Sequence, residues 1–240
     1  MTSTLKTNAI EPEGGTTNMV VGESGQNTVI GNNDIRANVL QDAGGNALFT
    51  SNGSGVLSGV NSGLGNTMVL LSTQTASNSS GVAFTSGIDS TYSEYIFKFY
   101  NLADHANQLM HFQVNASGQS GYNETITSTA FFARHTEGGT TGLSYRTSAD
   151  QAQGTAYQVM SEALRADADA SMSGELHLFN PASTTYVKHF YLKTSVMQSS
   201  PGAWGTYVAG YINTTAAITQ INFKTDSGTF DGKIKMWGVK

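Results

Sequence analysis

Side chains able to do chemistry are sparse in this 240-residue chain. Five histidines occur: His105, His111, His135, His177 and His189. None forms the i, i+4 pair that sets two imidazoles on one helix face for zinc. His111, His177 and His189 alternate with apolar residues, which predicts that they point to solvent from strands. Asp167 and Asp169, in Ala166-Asp-Ala-Asp-Ala-Ser171, resemble a fragment of a calcium loop. A complete loop needs more ligands, a glycine at the bend and a terminal glutamate, so a polar turn is expected here. No serine sits in a Gly-x-Ser-x-Gly elbow, and no carboxylate pair stands out for glycoside hydrolysis. The expectation is therefore a protein that is not an enzyme, with no catalytic, cofactor-binding or metal residues.

Aromatic side chains offer a different chemistry, stacking on sugar rings. Trp204 lies in Pro201-Gly-Ala-Trp-Gly205, which reads as a loop, so an exposed ring in contact with a glycan is expected there. Trp237 falls in an alternating segment and is expected to pack or to form an interface.

The elements that must position these residues read as strands. Tyr95, Phe97 and Phe99 alternate with polar neighbours, as do Met110, Phe112 and Val114, Leu176 and Leu178, and Phe190 and Leu192. The segments 207–213, 221–225 and 233–239 repeat the pattern. A period of two places one face of each strand in a core. Turn signals separate the strands at Asn115–Gly118, Glu137–Gly139, Asn180-Pro181, Ser200–Gly202 and Asp226–Gly228. Tyr157 to Ala166 reads as a strand because its neighbours do, although three turns of helix also fit. The class is all-β, with an antiparallel, jelly-roll-like β-sandwich over residues 67–240.

The first 66 residues differ. Apolar pairs recur about every nine residues: Val20-Val21, Val29-Ile30, Val39-Leu40, Leu48-Phe49 and Val56-Leu57. Almost everything between them is Gly, Asn, Ser, Thr, Asp or Gln. Two apolar residues per short strand cannot close a core within one chain, so this ladder is expected to be an oligomer-dependent β segment, a stalk or anchor. Gly53, Gly55, Gly59, Gly63 and Gly65 mark its join to the sandwich.

Composition narrows the partners. Charged residues make up 12% of the chain, the net charge is −5 and there is no cysteine. The scattered lysines and arginines form no footprint for nucleic acid, and no apolar run is long enough for a membrane span. Disulfides and thiolate metal sites are excluded. Met1 to Glu13 lacks the apolar region of a secretory signal, so assembly inside a cell is expected. Asn-x-Ser/Thr triplets at Asn78, Asn115, Asn123 and Asn213 are expected by chance in a composition this rich in those residues.

The closing stretch, Ser227-Gly-Thr-Phe230-Asp-Gly232-Lys-Ile234-Lys-Met236-Trp237-Gly238, resembles the C-terminal hairpin of β-sandwich domains in bacteriophage virion proteins. Ser173-Gly-Glu-Leu176-His-Leu178-Phe-Asn-Pro181 is similar to an internal segment of those domains. The opening, Leu5-Lys-Thr-Asn-Ala-Ile10 with Glu11-Pro12, is similar to the start of marine phage fibre-like proteins. The resemblance implies a structural component of a virion, assembled in the host cytoplasm. The expected form is a homotrimeric fibre or spike with a projecting head that aids host adsorption. Its partners would be copies of itself, other virion proteins through the N-terminus, and a host surface glycan. The alternatives are a capsid decoration or cement protein and a carbohydrate-binding module.

Overall fold

The structure is a computed structural model that describes residues 39–42, 44–51, 54, 57–58, 60, 67–198 and 201–240. The chain separates into two units, residues 1–65 and 66–240. Among the described residues every regular element is a strand, and every pairing is antiparallel.

In the first unit, strands β1 (Val39–Gln41), β2 (Ala47–Ser51) and β3 (Leu57–Ser58) form one small sheet in that order. Asp42 closes the β1–β2 turn: its Oδ1 accepts from the backbone N–H of Gly44 and of Asn46, each at 2.9 Å. These bonds hold its carboxyl below the usual pKa. Leu40 stands opposite Phe49, so two rungs of the ladder meet. Leu48 and Phe49 are half-buried, whereas Val39 and Leu40 remain exposed. The ladder residues Val20, Val21, Val29, Ile30 and Val56 lie outside the described residues, and of Leu57 only its pairing with Ser51 is described.

The second unit is a β-sandwich. Its strands are β4 (Met68–Ser79), β5 (Gly81–Phe84), β6 (Glu94–Asp104), β7 (Met110–Ala116), β8 (Ile126–Thr136), β9 (Thr141–Tyr145) and β10 (Gln151–Gly154). They continue as β11 (Gln158–Val159), β12 (Met172–Phe179), β13 (Lys188–Met197), β14 (Gly202–Ile212), β15 (Ile218–Thr225) and β16 (Phe230–Val239). Four antiparallel pairs are nested: β4 with β16, β5 with β15, β6 with β12, and β7 with β11. That nesting folds a long hairpin over into two sheets and is the topology of an eight-strand jelly roll. Two insertions enlarge it. Strands β8–β10 and β13–β14 add to the larger sheet beyond β12, in the order β4-β16-β6-β12-β13-β14-β8-β10, with β9 also paired to β8. The smaller sheet keeps the order β11-β7-β15-β5.

Alternation decides which side chains meet between the sheets. Tyr95, Phe97 and Phe99 from β6 and Ile221 and Phe223 from β15 are fully or almost fully buried. The Phe223 ring lies 5.5 Å from that of Phe97 and 5.4 Å from that of Phe99. Phe112 meets Phe190 edge-on at 5.1 Å. The closing motif has a structural basis. Ser227-Gly228 turns the chain, Gly228 at φ +77°, and Phe230 enters the core. Gly232, at φ +128°, occupies a bulge where an added Cβ would stand 2.6 Å from the Asn101 carbonyl oxygen. Only glycine fits that position.

Tyr157 to Ala166 is strand for two residues only. β11 pairs with β7, after which Met160 and Leu164 donate backbone bonds to the carbonyls of Met110 and Gln108. The segment follows the edge of β7 without continuing as a strand. Replacing Phe223 by alanine is expected to cost roughly 3–5 kcal/mol of stability, read as a lower midpoint in urea unfolding with little change in slope.

Candidate functional site

Trp204 does not occupy a loop. It is the third residue of β14, 6% exposed, with Phe132 tilted against it at 4.9 Å and the Arg134 guanidinium 5.0 Å from the ring centroid. The Pro-Gly preceding it is only the entry to the strand, and the strand period turns the indole inward. Occupied by Phe132 and Arg134, the ring has no open face for a sugar, so the expected glycan contact at this residue is corrected. Trp237 is half-buried in β16 opposite Ile96.

The histidines divide. His189 is exposed as its alternation predicts, whereas His111 and His177 are 7% and 9% exposed. The turn after β15 covers His111, placing Asp226 Oδ1 3.2 Å from its Nε2. Burial is the larger influence and pushes the His111 pKa below the ordinary value; the Asp226 carboxylate pulls it back and Lys224 adds to the lowering. His177 stacks on Tyr191 at 4.4 Å, with its Nδ1 against Glu94 Oε1 at 2.5 Å. Asp167 faces the Arg165 guanidinium in its turn. Among the described residues no group of three or more His, Asp or Glu could hold a metal ion.

A concavity of about 1160 Å³ lies at one end of the larger sheet. Its walls come from the loop before β6, the segment between β12 and β13, the β14–β15 loop around Thr215, and Lys240. Tyr92, Phe179, Tyr186 and His189 supply rings; Asn180 and several serines and threonines supply amide and hydroxyl groups. Tyr186 is 74% exposed. The rings of Phe179 and Tyr191, 5.7 Å apart, carry the aromatic lining from the groove onto the sheet toward His177.

Each wall is held from beneath. Asn180, left-handed at φ +43°, donates its N–H to Ser93 at 2.7 Å and accepts from Ser183 at 3.0 Å. Ser183 Oγ then accepts from the N–H groups of Thr185 and Tyr186. On the opposite wall, Tyr95 donates its hydroxyl to Asp89, whose Oδ1 accepts from the Thr91 N–H at 2.8 Å. Lys188 ties two walls together. Fully buried, it donates its ammonium to the carbonyls of Tyr186 and Thr214, each at 3.0 Å. Burial lowers its pKa, and the Glu124 carboxylate partly opposes that. A buried ammonium is costly unless its protons are taken up, and the two carbonyls take up part of that demand.

None of the groove residues was assigned a binding role from the sequence: His189 read as a solvent-facing strand residue and Asn180 as part of a turn. The groove residues come from four stretches spread between Ser90 and Lys240, and no spacing rule joins them. The local signal was only the cluster of hydroxyls and rings following Phe179-Asn-Pro181.

Fold and groove together define a jelly-roll β-sandwich with an open, aromatic-lined cleft at one end. No family model, curated protein or solved structure matches this chain.

Two outcomes are expected. Lys188→Met would leave two carbonyls without their donor, costing roughly 1–3 kcal/mol, and amide exchange in residues 183–187 should quicken. His111, with its pKa lowered on folding, contributes stability above the unfolded pKa of about 6.5. That contribution should be lost as pH falls from there toward the folded value, and His111→Gln should remove this part of the acid sensitivity in denaturant titrations.

Proposed function

We propose that this chain is a structural component of a phage virion, a homotrimeric fibre or spike. Residues 1–66 form the stalk or anchor that meets other virion proteins, and the jelly-roll head projects outward to aid host adsorption. One observation carries the reading. In the sheet of β1, β2 and β3, Val39 and Leu40 stay 43% and 44% exposed. Strands of three, five and two residues supply the whole sheet. Ordering a residue costs about 1–2 kcal/mol of backbone entropy, while burying one valine or leucine returns roughly 1.5–3 kcal/mol. Exposed rungs return little of that, so the ladder needs another surface over it. Copies of the same segment supply one with matching spacing, which favours closed rotational symmetry. The closing motif from Ser227 to Gly238 supports the virion assignment by resemblance.

Light scattering on the purified full chain should give three times the chain mass of 25.3 kDa. Leu40→Asp should shift the population toward single chains. A folded wild-type monomer would overturn the fibre reading.

A further inference from the structure

We propose that the groove at the end of the larger sheet binds an oligosaccharide, with pyranose faces stacking on Tyr186 and Phe179. The inference gives the head's adsorption role a ligand class and rests on the fibre reading only for the source of the sugar.

The chemistry of the lining selects the ligand. Sugar rings present apolar C–H faces alternating with equatorial hydroxyls, so their sites combine aromatic planes with short polar groups. Here Tyr186 and Phe179 provide planes, while Ser90, Thr185, Thr215 and Asn180 provide hydroxyl and amide groups. Among the described lining residues only Lys240 carries a formal charge, too little to hold a polyphosphate or a nucleic-acid backbone. Hydroxyls interrupt the apolar lining, which disfavours an acyl chain. The backbone of the Asn180 wall is turned inward on Ser93 and Ser183 and offers no free strand edge for a peptide. A volume of 1160 Å³ accommodates more than one sugar ring.

Preorganisation points the same way. Tyr186 stands out at 74% exposure, yet its backbone is fastened on both sides: its N–H donates to Ser183 Oγ and its carbonyl accepts from Lys188. A large exposed ring on a fixed backbone loses little entropy when a ligand covers it. That cost would be higher on an unpinned loop.

The test is saturation-transfer NMR on the full chain with maltose, lactose, chitobiose and sialyllactose as probes. Transfer to at least one of them is expected. Tyr186→Ala should weaken that binding on the order of tenfold or more, and His189→Ala should weaken it as well. Tyr145→Ala, on the exposed β9 edge outside the groove, should leave it unchanged. Because Tyr186 is exposed, the variant is expected to keep the wild-type melting temperature, which separates lost binding from lost folding. No transfer to any probe would overturn the site, as would binding that survives both groove substitutions or that Tyr145→Ala abolishes equally. The outcome is separable from the oligomer test. A trimer that binds no sugar removes this site and leaves the fibre, whereas a monomer that binds sugar through Tyr186 removes the fibre and leaves the site.

Discussion

Everything in the sandwich depends on the wedge of phenylalanine rings between its two sheets. Phe84 and Phe223 come from the smaller sheet, Phe97 and Phe99 from the larger, and Phe84 lies edge-on to both Phe97 and Phe223. Edge-to-face contacts favour one separation and one set of tilts over a smooth range of them. With the sheets held roughly 10 Å apart, the nested pairs from β4·β16 to β7·β11 can all be satisfied at once. The insertions β8–β10 and β13–β14 then extend the larger sheet without disturbing that central clasp.

The extension has a consequence at the surface. The smaller sheet has four strands and the larger has nine, so the outer strands of the larger sheet need covering from elsewhere. Phe132, Trp204 and Arg146 supply part of it, with the Arg146 guanidinium set over Phe132 and paired to the buried Glu162. This is why Trp204 faces inward. At the far end the uncovered margin of the same sheet becomes the groove, and Lys188 keeps its two walls at a fixed separation.

Much of the fold was legible in the residues. The alternation of Tyr95, Phe97 and Phe99, of Met110, Phe112 and Val114, and of Phe190 and Leu192 named core faces that are buried. Turn residues such as Gly118, Gly139, Asn180 and Gly228 do adopt positive φ. The side chains opposite the core were read less well. His111 and Gln113 belong to the polar face of β7, yet all seven residues of that strand are buried. Gln113 gives its amide hydrogens to the carbonyls of Glu124 and Ala156, on segments that cross over the strand. A period of two tells which side a residue faces, and nothing about what later passes over that side.

The groove shows the same division more sharply. Its rings and hydroxyls are ordinary residues of an Asn-, Ser- and Thr-rich chain, and Tyr92, Tyr186, His189 and Thr215 share no motif. By itself the sequence determined the strand faces, the turns and the all-β class. These follow from local chemistry: side-chain period and backbone φ preference. Only the tertiary structure decided that Trp204 is enclosed, that His111 and His177 are covered, and that three connecting segments and Lys240 meet as one cleft. Burial and convergence depend on contacts between residues far apart in the chain, and those contacts are set by which strands pair.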